Sequence, residues 1–142
     1  MNRQIKFRGK RIDNGEWVYG YITLLKYRNE TQWWIVEHIR RGGIYGLQID
    51  PDTVGQFTGL CDKNGNEIYE GDIIQGEYKY RHLIRYSNDE ACFTATLVEY
   101  VGDTVAEKWN TGRVYQDWIN EFEKVVIGNI FENKELMEGG EK

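Results

Sequence analysis

The sequence predicts a mainly β protein with an antiparallel sheet, a small barrel-like β subdomain and a short C-terminal helix. Its five Trp, ten Tyr and five Phe favour strands, and its sixteen Gly indicate frequent turns. A single Pro leaves most strand ladders uninterrupted. At 142 residues the chain has the size of one domain. We therefore expect one β-rich domain over residues 1–138, with an N-terminal sheet at 1–58, the barrel-like part at 59–138 and a disordered tail at 139–142.

The N-terminal elements follow from alternation and turn chemistry. Residues 5–8 alternate apolar and basic side chains, which predicts an edge strand with Ile5 and Phe7 facing inward. The Asp-Asn-Gly turn at 13–15 leads into an aromatic and β-branched strand at 17–25, so the two segments should form a hairpin. Further strands are predicted at 33–36, 45–49 and 53–57, separated by turns at 29–31 and 40–43 and by a break at Pro51.

The second half contains shorter runs. Asn64-Gly65 predicts a tight loop, because both residues tolerate positive φ. Strands are then predicted at 73–78, 79–86, 91–101 and 123–127. Residues 102–120 lack a regular pattern, and we expect a mobile loop within them. Trp118, Ile119 and Phe122 are spaced for one helical turn, and Asn129 is placed to cap a short helix over 130–137.

Charge and composition exclude several classes of protein. The net charge of −5 argues against a protein that coats nucleic acid with its whole surface. The charge is nevertheless divided, because residues 1–50 sum to +4 and residues 51–142 to −9. The two cysteines form no disulfide framework. With no apolar leader and no apolar run of membrane-spanning length, we expect a cytoplasmic protein without a membrane segment.

Three blocks of sequence resemble the YopX family, whose members are small proteins encoded mainly by phages and prophages. The blocks are Ile5-Lys6-Phe7-Arg8, the long run from Thr53 through Asp62-Lys63-Asn64-Gly65 to Ile73, and Val126 to Asn133. Lys134 departs from the proline that the family commonly has there, which affects only the start of the final helix. The resemblance implies a β-rich fold in a bacterial or phage cytoplasm. It implies no reaction, no cofactor and no catalytic residue.

One run has part of a calcium-loop pattern. Asp62, Asn64 and Asn66 occupy the first, third and fifth positions, where such a loop needs oxygen ligands. The glycine stands at the fourth position instead of the sixth, and Ile73 stands where the bidentate glutamate belongs. The spacing therefore favours a hairpin turn.

Three carboxylates, those of Glu67, Glu70 and Asp72, lie within six residues. They could form an acid–base pair or hold magnesium, but no nucleophile or phosphate-binding loop is near them. A turn whose carboxylates accept backbone N–H bonds is the simpler interpretation.

A zinc site would have to be assembled from His38, His82, Cys61 and Cys92. Their spacing matches no zinc motif, so ordinary packing of thiols and imidazoles is preferred. We expect no metal, no cofactor and no catalytic site.

The strand from Tyr78 to Tyr86 alternates aromatic and basic residues. Tyr78, Tyr80, His82, Ile84 and Tyr86 should share one face, and Lys79, Arg81, Leu83 and Arg85 the other. The aromatic face could stack bases if it were exposed. We favour the alternative in which the tyrosines face the core and the cations are solvated, because a meander strand needs one buried face.

Three hypotheses about function follow. The first is a non-enzymatic phage accessory protein that binds a protein partner or assembles with itself through surfaces of opposite charge. The second is a nucleic-acid-binding module, and the third a carboxylate-dependent hydrolase. The candidate nucleic-acid-binding residues are Lys6, Arg8, Arg40, Arg41, Lys79, Arg81 and Arg85.

Overall fold

The protein is described by a computed structural model that covers residues 2–76, 80–98 and 108–137. Within these ranges the side chains of residues 38–40, 44 and 108–111 are not described. The chain divides into two compact units, Met1–Phe57 and Thr58–Lys142, called here the N-terminal and C-terminal units. Strands dominate both units, which confirms the predicted mainly β class.

The N-terminal unit is a small closed barrel. Its strands are β1 (Phe7–Arg11), β2 (Trp17–Tyr27), β3 (Glu30–Arg40) and β4 (Gly43–Cys61), the last of which continues into the C-terminal unit. They pair antiparallel in chain order, and β1 also pairs with β4.

The placement of the barrel and the edge position of β1 were therefore predicted wrongly. The barrel lies in the N-terminal unit and not at 59–138, and β1 has a neighbouring strand on each side. The first strand runs from Phe7 and does not include Ile5. Closure depends on pairing between residues 38 to 49 positions apart, such as Arg8 and Gly55, which local alternation does not report.

The barrel interior is filled by β-branched side chains. Val18, Ile35 and Ile49 are buried together, one from each of three strands. Gly9 of β1 leaves room for them, because a Cβ at that position would lie 2.6 Å from Ile49 Cδ1. The residues on either side of Gly9, namely Arg8 and Lys10, are accordingly directed to the outside of the barrel.

Pro51 interrupts the β1–β4 ladder, as predicted, but it does not end the fourth strand. β4 is continuous from Gly43 to Cys61, and Pro51 is exposed in a stretch where the β1–β4 register shifts. A bulge tolerates proline because its backbone nitrogen is outside the ladder. The buried Thr53 hydroxyl bonds to two backbone groups at the bulge. It accepts a hydrogen bond from Lys10 N at 2.8 Å and donates one to Asp50 O at 2.7 Å.

Thr53→Val is expected to lower the free energy of unfolding by about 1–2 kcal/mol, because two buried backbone groups lose their partner. Thr53→Ser keeps the hydroxyl and should stay within about 0.5 kcal/mol of the parent chain. Urea unfolding followed by Trp fluorescence measures both. Equal stabilities for the valine and serine variants would show that the hydroxyl is not what stabilises the bulge.

The C-terminal unit contains a five-stranded antiparallel sheet in the order β10-β6-β7-β8-β9. Its elements are β5 (Glu67–Tyr69), which pairs with the end of β4, β6 (Asp72–Gln75), β7 (Arg81–Ser87), β8 (Cys92–Val98), β9 (Lys108–Arg113), α1 (Gln116–Glu121) and β10 (Val125–Asn129), followed by a 3-10 helix (Lys134–Met137).

The prediction for residues 102–120 was partly wrong. β9 occupies 108–113 in place of irregular chain, and α1 confirms the predicted helical turn at Trp118 and Ile119. The part of the predicted mobile loop that falls at 102–107 and the predicted tail at 139–142 lie outside the described residues.

Both faces of this sheet are buried. Ile84 of β7 packs in one cluster with Ile74 and Ile119, and its neighbour Leu83 packs in another with Ile73 and Met137. A sheet covered on two sides needs apolar residues at consecutive positions of its central strand. The segment 81–84 is buried throughout for this reason.

Asn129 ends the last strand and caps the turn that follows, as predicted. Its side-chain oxygen accepts from Phe131 N and Glu132 N, both at 3.0 Å. The predicted helix is shorter than expected, because regular helix is confined to the 3-10 turn at Lys134–Met137.

Candidate binding surfaces on the barrel and the C-terminal sheet

The predicted nucleic-acid-binding residues differ in exposure. Arg41 and Arg85 are exposed, and Lys6 is half-buried with its Nζ 4.9 Å from the centre of the Phe57 ring. Arg8 is buried, with its guanidinium 4.6 Å from the centre of the Trp17 ring. Lys79 and the side chain of Arg40 lie outside the described part of the chain.

Arg81 has a structural role, because it links neighbouring elements of the C-terminal unit by hydrogen bonds. It is buried, and its guanidinium donates to Gln75 Oε1 at 3.0 Å and to Leu136 O at 3.3 Å. These bonds join β7 to β6 and to the 3-10 helix. An arginine committed in this way is a poor phosphate ligand, because leaving its partners would strand buried polar groups.

The preferred interpretation of the strand ending at Tyr86 was wrong in two respects. Tyr80 and Tyr86 are exposed, at 51% and 40%, whereas the core interpretation required them to be buried. Arg81 is buried, whereas that interpretation placed it in solvent. Tyr86 packs edge-on against Phe93 at 5.3 Å between ring centres, so even its exposed ring has a fixed position.

Five exposed large apolar side chains of the N-terminal unit lie on β2. Tyr19, Tyr21, Leu25 and Tyr27 sit on alternate positions of its outer side, and Tyr21 and Tyr27 are 64% and 59% exposed. Leu24, on the opposite side, is 51% exposed. The sequence predicted this segment only as an aromatic and β-branched strand. Its run of alternate aromatic residues was the signal that could have identified an exposed row.

The outer side of β1 places cations beside this row. Arg8 pairs in register with Tyr19, and Lys10 pairs with Trp17. Lys10 Nζ lies 5.3 Å from the centre of the Trp17 ring. Lys6 precedes Arg8 by two residues and so falls on the same side of the extended chain. Together, Lys6, Lys10, Trp17, Tyr19 and Tyr21 are called here the β1–β2 face.

The end of the β2–β3 hairpin projects as a two-stranded arm. The β3–β4 pairing starts at Trp33, and the β1–β2 pairing stops at Gly20, so, among the described residues, 25–32 pair only with each other, and Leu24 just before them pairs with Trp33. Residues 24–32 are called here the arm. The turn at its tip is formed by Arg28 and Asn29, both with positive φ, as a two-residue hairpin turn requires.

A groove of about 380 Å³ lies on the outside of the barrel. Trp34, Ile12 and Leu47 give it apolar walls, and Arg11, Asp13, Gly46 and Gln48 complete it. The Arg11 guanidinium donates to both Asp13 carboxylate oxygens, at 2.8 and 2.6 Å. That hydrogen bond holds the pKa of the Asp13 carboxyl below its usual value. The two charged residues that line the groove thus form an ion pair with each other.

The Asp62 carboxylate is used to hold the surrounding backbone by hydrogen bonds. Its Oδ1 accepts from Asn64 N and Asn66 N at 2.9 Å, and its Oδ2 accepts from Val126 N at 3.0 Å and Asn66 Nδ2 at 3.2 Å. Burial raises the pKa of this carboxyl, but the donors outweigh it and hold the pKa below the usual value. The predicted hairpin turn at Asn64-Gly65 is confirmed.

The other carboxylates of this region also contact the chain. Asp72 is almost fully buried and accepts from Tyr69 N at 2.8 Å. Glu67 Oε1 accepts from the Tyr69 hydroxyl at 3.4 Å. Among the described residues, no three His, Cys, Asp or Glu side chains are close enough to hold a metal ion. Cys61 and Cys92 are free thiols.

Two titratable groups are buried together in the C-terminal unit. The His82 ring packs edge-on against Trp118 at 5.0 Å, and Lys124 Nζ lies 4.9 Å from the centre of the same ring. Burial lowers the pKa of Lys124. Burial and then the charge of Lys124 lower the pKa of His82 to about 4. His82 is therefore neutral near pH 7, and its buried Nδ1 has no hydrogen-bond partner within the described structure.

Comparison with known proteins identifies the family. The family model described as YopX protein matches residues 6–138, which is nearly the whole chain. The chain belongs to the YopX family. No curated protein matches it significantly.

Among solved structures, the YopX chain is similar to the crystal structure of protein EF1440 from Enterococcus faecalis. The two are 23% identical, with a TM-score of 0.47, over 96% of this chain and 99% of that one. Neither helical segment in the described ranges of the YopX chain is long and apolar enough to span a bilayer.

Proposed function

We propose that this YopX protein is a non-enzymatic interaction module whose partner is a protein, in the first instance a second copy of the chain. The observation behind the proposal is the arm, where Leu24 and Leu25 are exposed on opposite sides of the same hairpin. An isolated two-stranded ribbon is only marginally stable in water. Exposed aliphatic side chains on both of its sides therefore favour an arm that is covered in an assembly.

The groove beside Trp34 supplies a receptor of matching chemistry. It lies on the same unit as the arm, and its apolar walls suit a leucine or a tyrosine ring. When each copy has both an arm and a groove, a two-fold arrangement satisfies both pairs at once. The described carboxylates give the hydrolase alternative no support, since Asp62 and Asp72 are engaged by backbone N–H groups.

Light scattering coupled to gel filtration tests this proposal across protein concentration. We expect a dimer that persists from about 0.1 M to about 0.5 M salt, because apolar burial is not screened. Leu24→Ser combined with Leu25→Ser should produce monomers, and so should Ile12→Asp in the groove.

Tyr80→Ser is the matched control, since Tyr80 is an exposed aromatic residue of the C-terminal unit. It should leave the dimer intact. A parent chain that is monomeric at every concentration and both salt levels would overturn the proposal. A dimer unaffected by both the arm and groove variants would overturn it as well.

A further inference from the structure

The β1–β2 face combines exposed rings with a row of cations. Tyr19 and Tyr21 are two residues apart on β2, so their attachment points are about 7 Å apart along the strand. Both are exposed, Tyr21 more than Tyr19. On the adjacent strand, Arg8 is the cross-strand neighbour of Tyr19. A strand with stacking surfaces and a neighbouring strand with positive charge match the two needs of a nucleic acid.

The contacts of the lysines fix where their charge lies. Lys10 Nζ is held over the Trp17 ring, and Lys6 Nζ over the Phe57 ring. Lys10 Nζ therefore lies toward β2, at the Trp17 end of the tyrosine row, and Lys6 Nζ lies toward β4. Asp50 pairs with Lys10 across the β1–β4 ladder and places one negative charge at that end of the face.

The charge of the N-terminal unit complements a phosphate backbone. Residues 1–57 contain nine Lys or Arg and six Asp or Glu, a net charge of +3, whereas residues 58–142 contain nine and seventeen, a net charge of −8. A chain that is acidic overall repels nucleic acid in general. Binding would have to be confined to the basic unit.

We propose that the β1–β2 face binds single-stranded nucleic acid, with bases stacked on Tyr19 and Tyr21 and phosphates held by Lys6 and Lys10. The strand must be single, because bases within a duplex are already stacked and cannot lie on a tyrosine ring. This site is separate from the arm and the groove, so it does not depend on the proposed self-association.

The test uses the full chain and a labelled oligothymidylate of about 12 nucleotides, a length in the range that one small barrel covers. Fluorescence anisotropy at about 50 mM salt should show binding, which should weaken roughly sevenfold at about 200 mM for two phosphate contacts. Tyr21→Ser should weaken binding about tenfold. Tyr21→Trp keeps an aromatic ring at this position and should bind as tightly as the parent chain. Lys6→Ala should weaken binding and flatten the salt dependence.

Two matched variants sharpen the result. Tyr27→Ser removes an exposed ring from the same side of β2 that lies beyond Lys6 and Lys10 and has Arg28 5.3 Å from its centre, and it should leave affinity unchanged. Asp50→Asn removes the acid that lies opposite Lys10 in the β1–β4 register and should strengthen binding, while its amide oxygen can still accept from Asp52 N. No anisotropy change at low salt would overturn the proposal. Equal affinity for a duplex of the same length, or equal losses for Tyr21→Ser and Tyr27→Ser, would also overturn it.

Discussion

Asp62→Ala is expected to lower the free energy of unfolding by about 3 kcal/mol or more. The carboxylate is buried and accepts four hydrogen bonds, three of them from backbone N–H groups. The bond from Val126 N joins the β4–β5 loop to β10 across 64 positions of sequence. Alanine would leave these donors buried without an acceptor.

Urea unfolding at pH 7 measures the loss, and two variants separate its causes. Asp62→Asn keeps an oxygen for the Asn64 and Asn66 amides but turns an N–H₂ group toward Val126, so an intermediate loss is expected. Asp89→Ala changes an exposed aspartate in another turn and should stay within about 0.5 kcal/mol of the parent. If Asp62→Ala and Asp89→Ala were equally stable, Asp62 would have no structural role.

As the pH falls, the protein is expected to lose stability through His82 at pH values above those at which the carboxylates of the protein are protonated. The pKa of His82 is about 4 when folded and 6.5 by its ordinary value. Between these values the unfolded chain binds a proton that the folded chain does not. The stability from His82 is therefore complete above about pH 6.5 and is lost as pH falls, at up to about 1.4 kcal/mol per pH unit. The total loss near pH 4 is about 3 kcal/mol.

Denaturant unfolding at a series of pH values from 7.5 to about 4.5 measures this slope. His82→Phe keeps a ring against Trp118 but removes the titration, so its stability should change much less over the same range. His38→Gln, which removes the other histidine, should keep the parent slope. A slope that persists in His82→Phe and disappears in His38→Gln would contradict the assignment.

These environments direct the search for function toward the barrel. Asp62, Asp72 and Arg81 are among the charged groups that motif and alternation arguments first singled out, and each is buried and bonded to backbone or side-chain partners. Their chemistry is used in folding. The exposed tyrosines and leucines of β2 are not part of the described barrel interior, which is filled by Val18, Ile35 and Ile49.

Local elements were predictable because they depend on neighbours in sequence. The Asp-Asn-Gly turn and the aromatic run after it predicted the β1–β2 hairpin, and Asn64-Gly65 predicted the β4–β5 loop. The cap at Asn129 was recognisable from residue type and position. β9 was missed because its residues, Lys108–Arg113, are mostly polar and adopt a strand by pairing with β8.

The amino-acid sequence by itself determined the β class, the family blocks, the turns and the opposite charges of the two halves. Only the tertiary structure decided that the barrel is N-terminal, that both faces of β7 are covered and that Arg8 and Arg81 are buried. The physical reason is range. Alternation tells which side chains share a face, but whether a face meets water or another layer depends on segments distant in the chain.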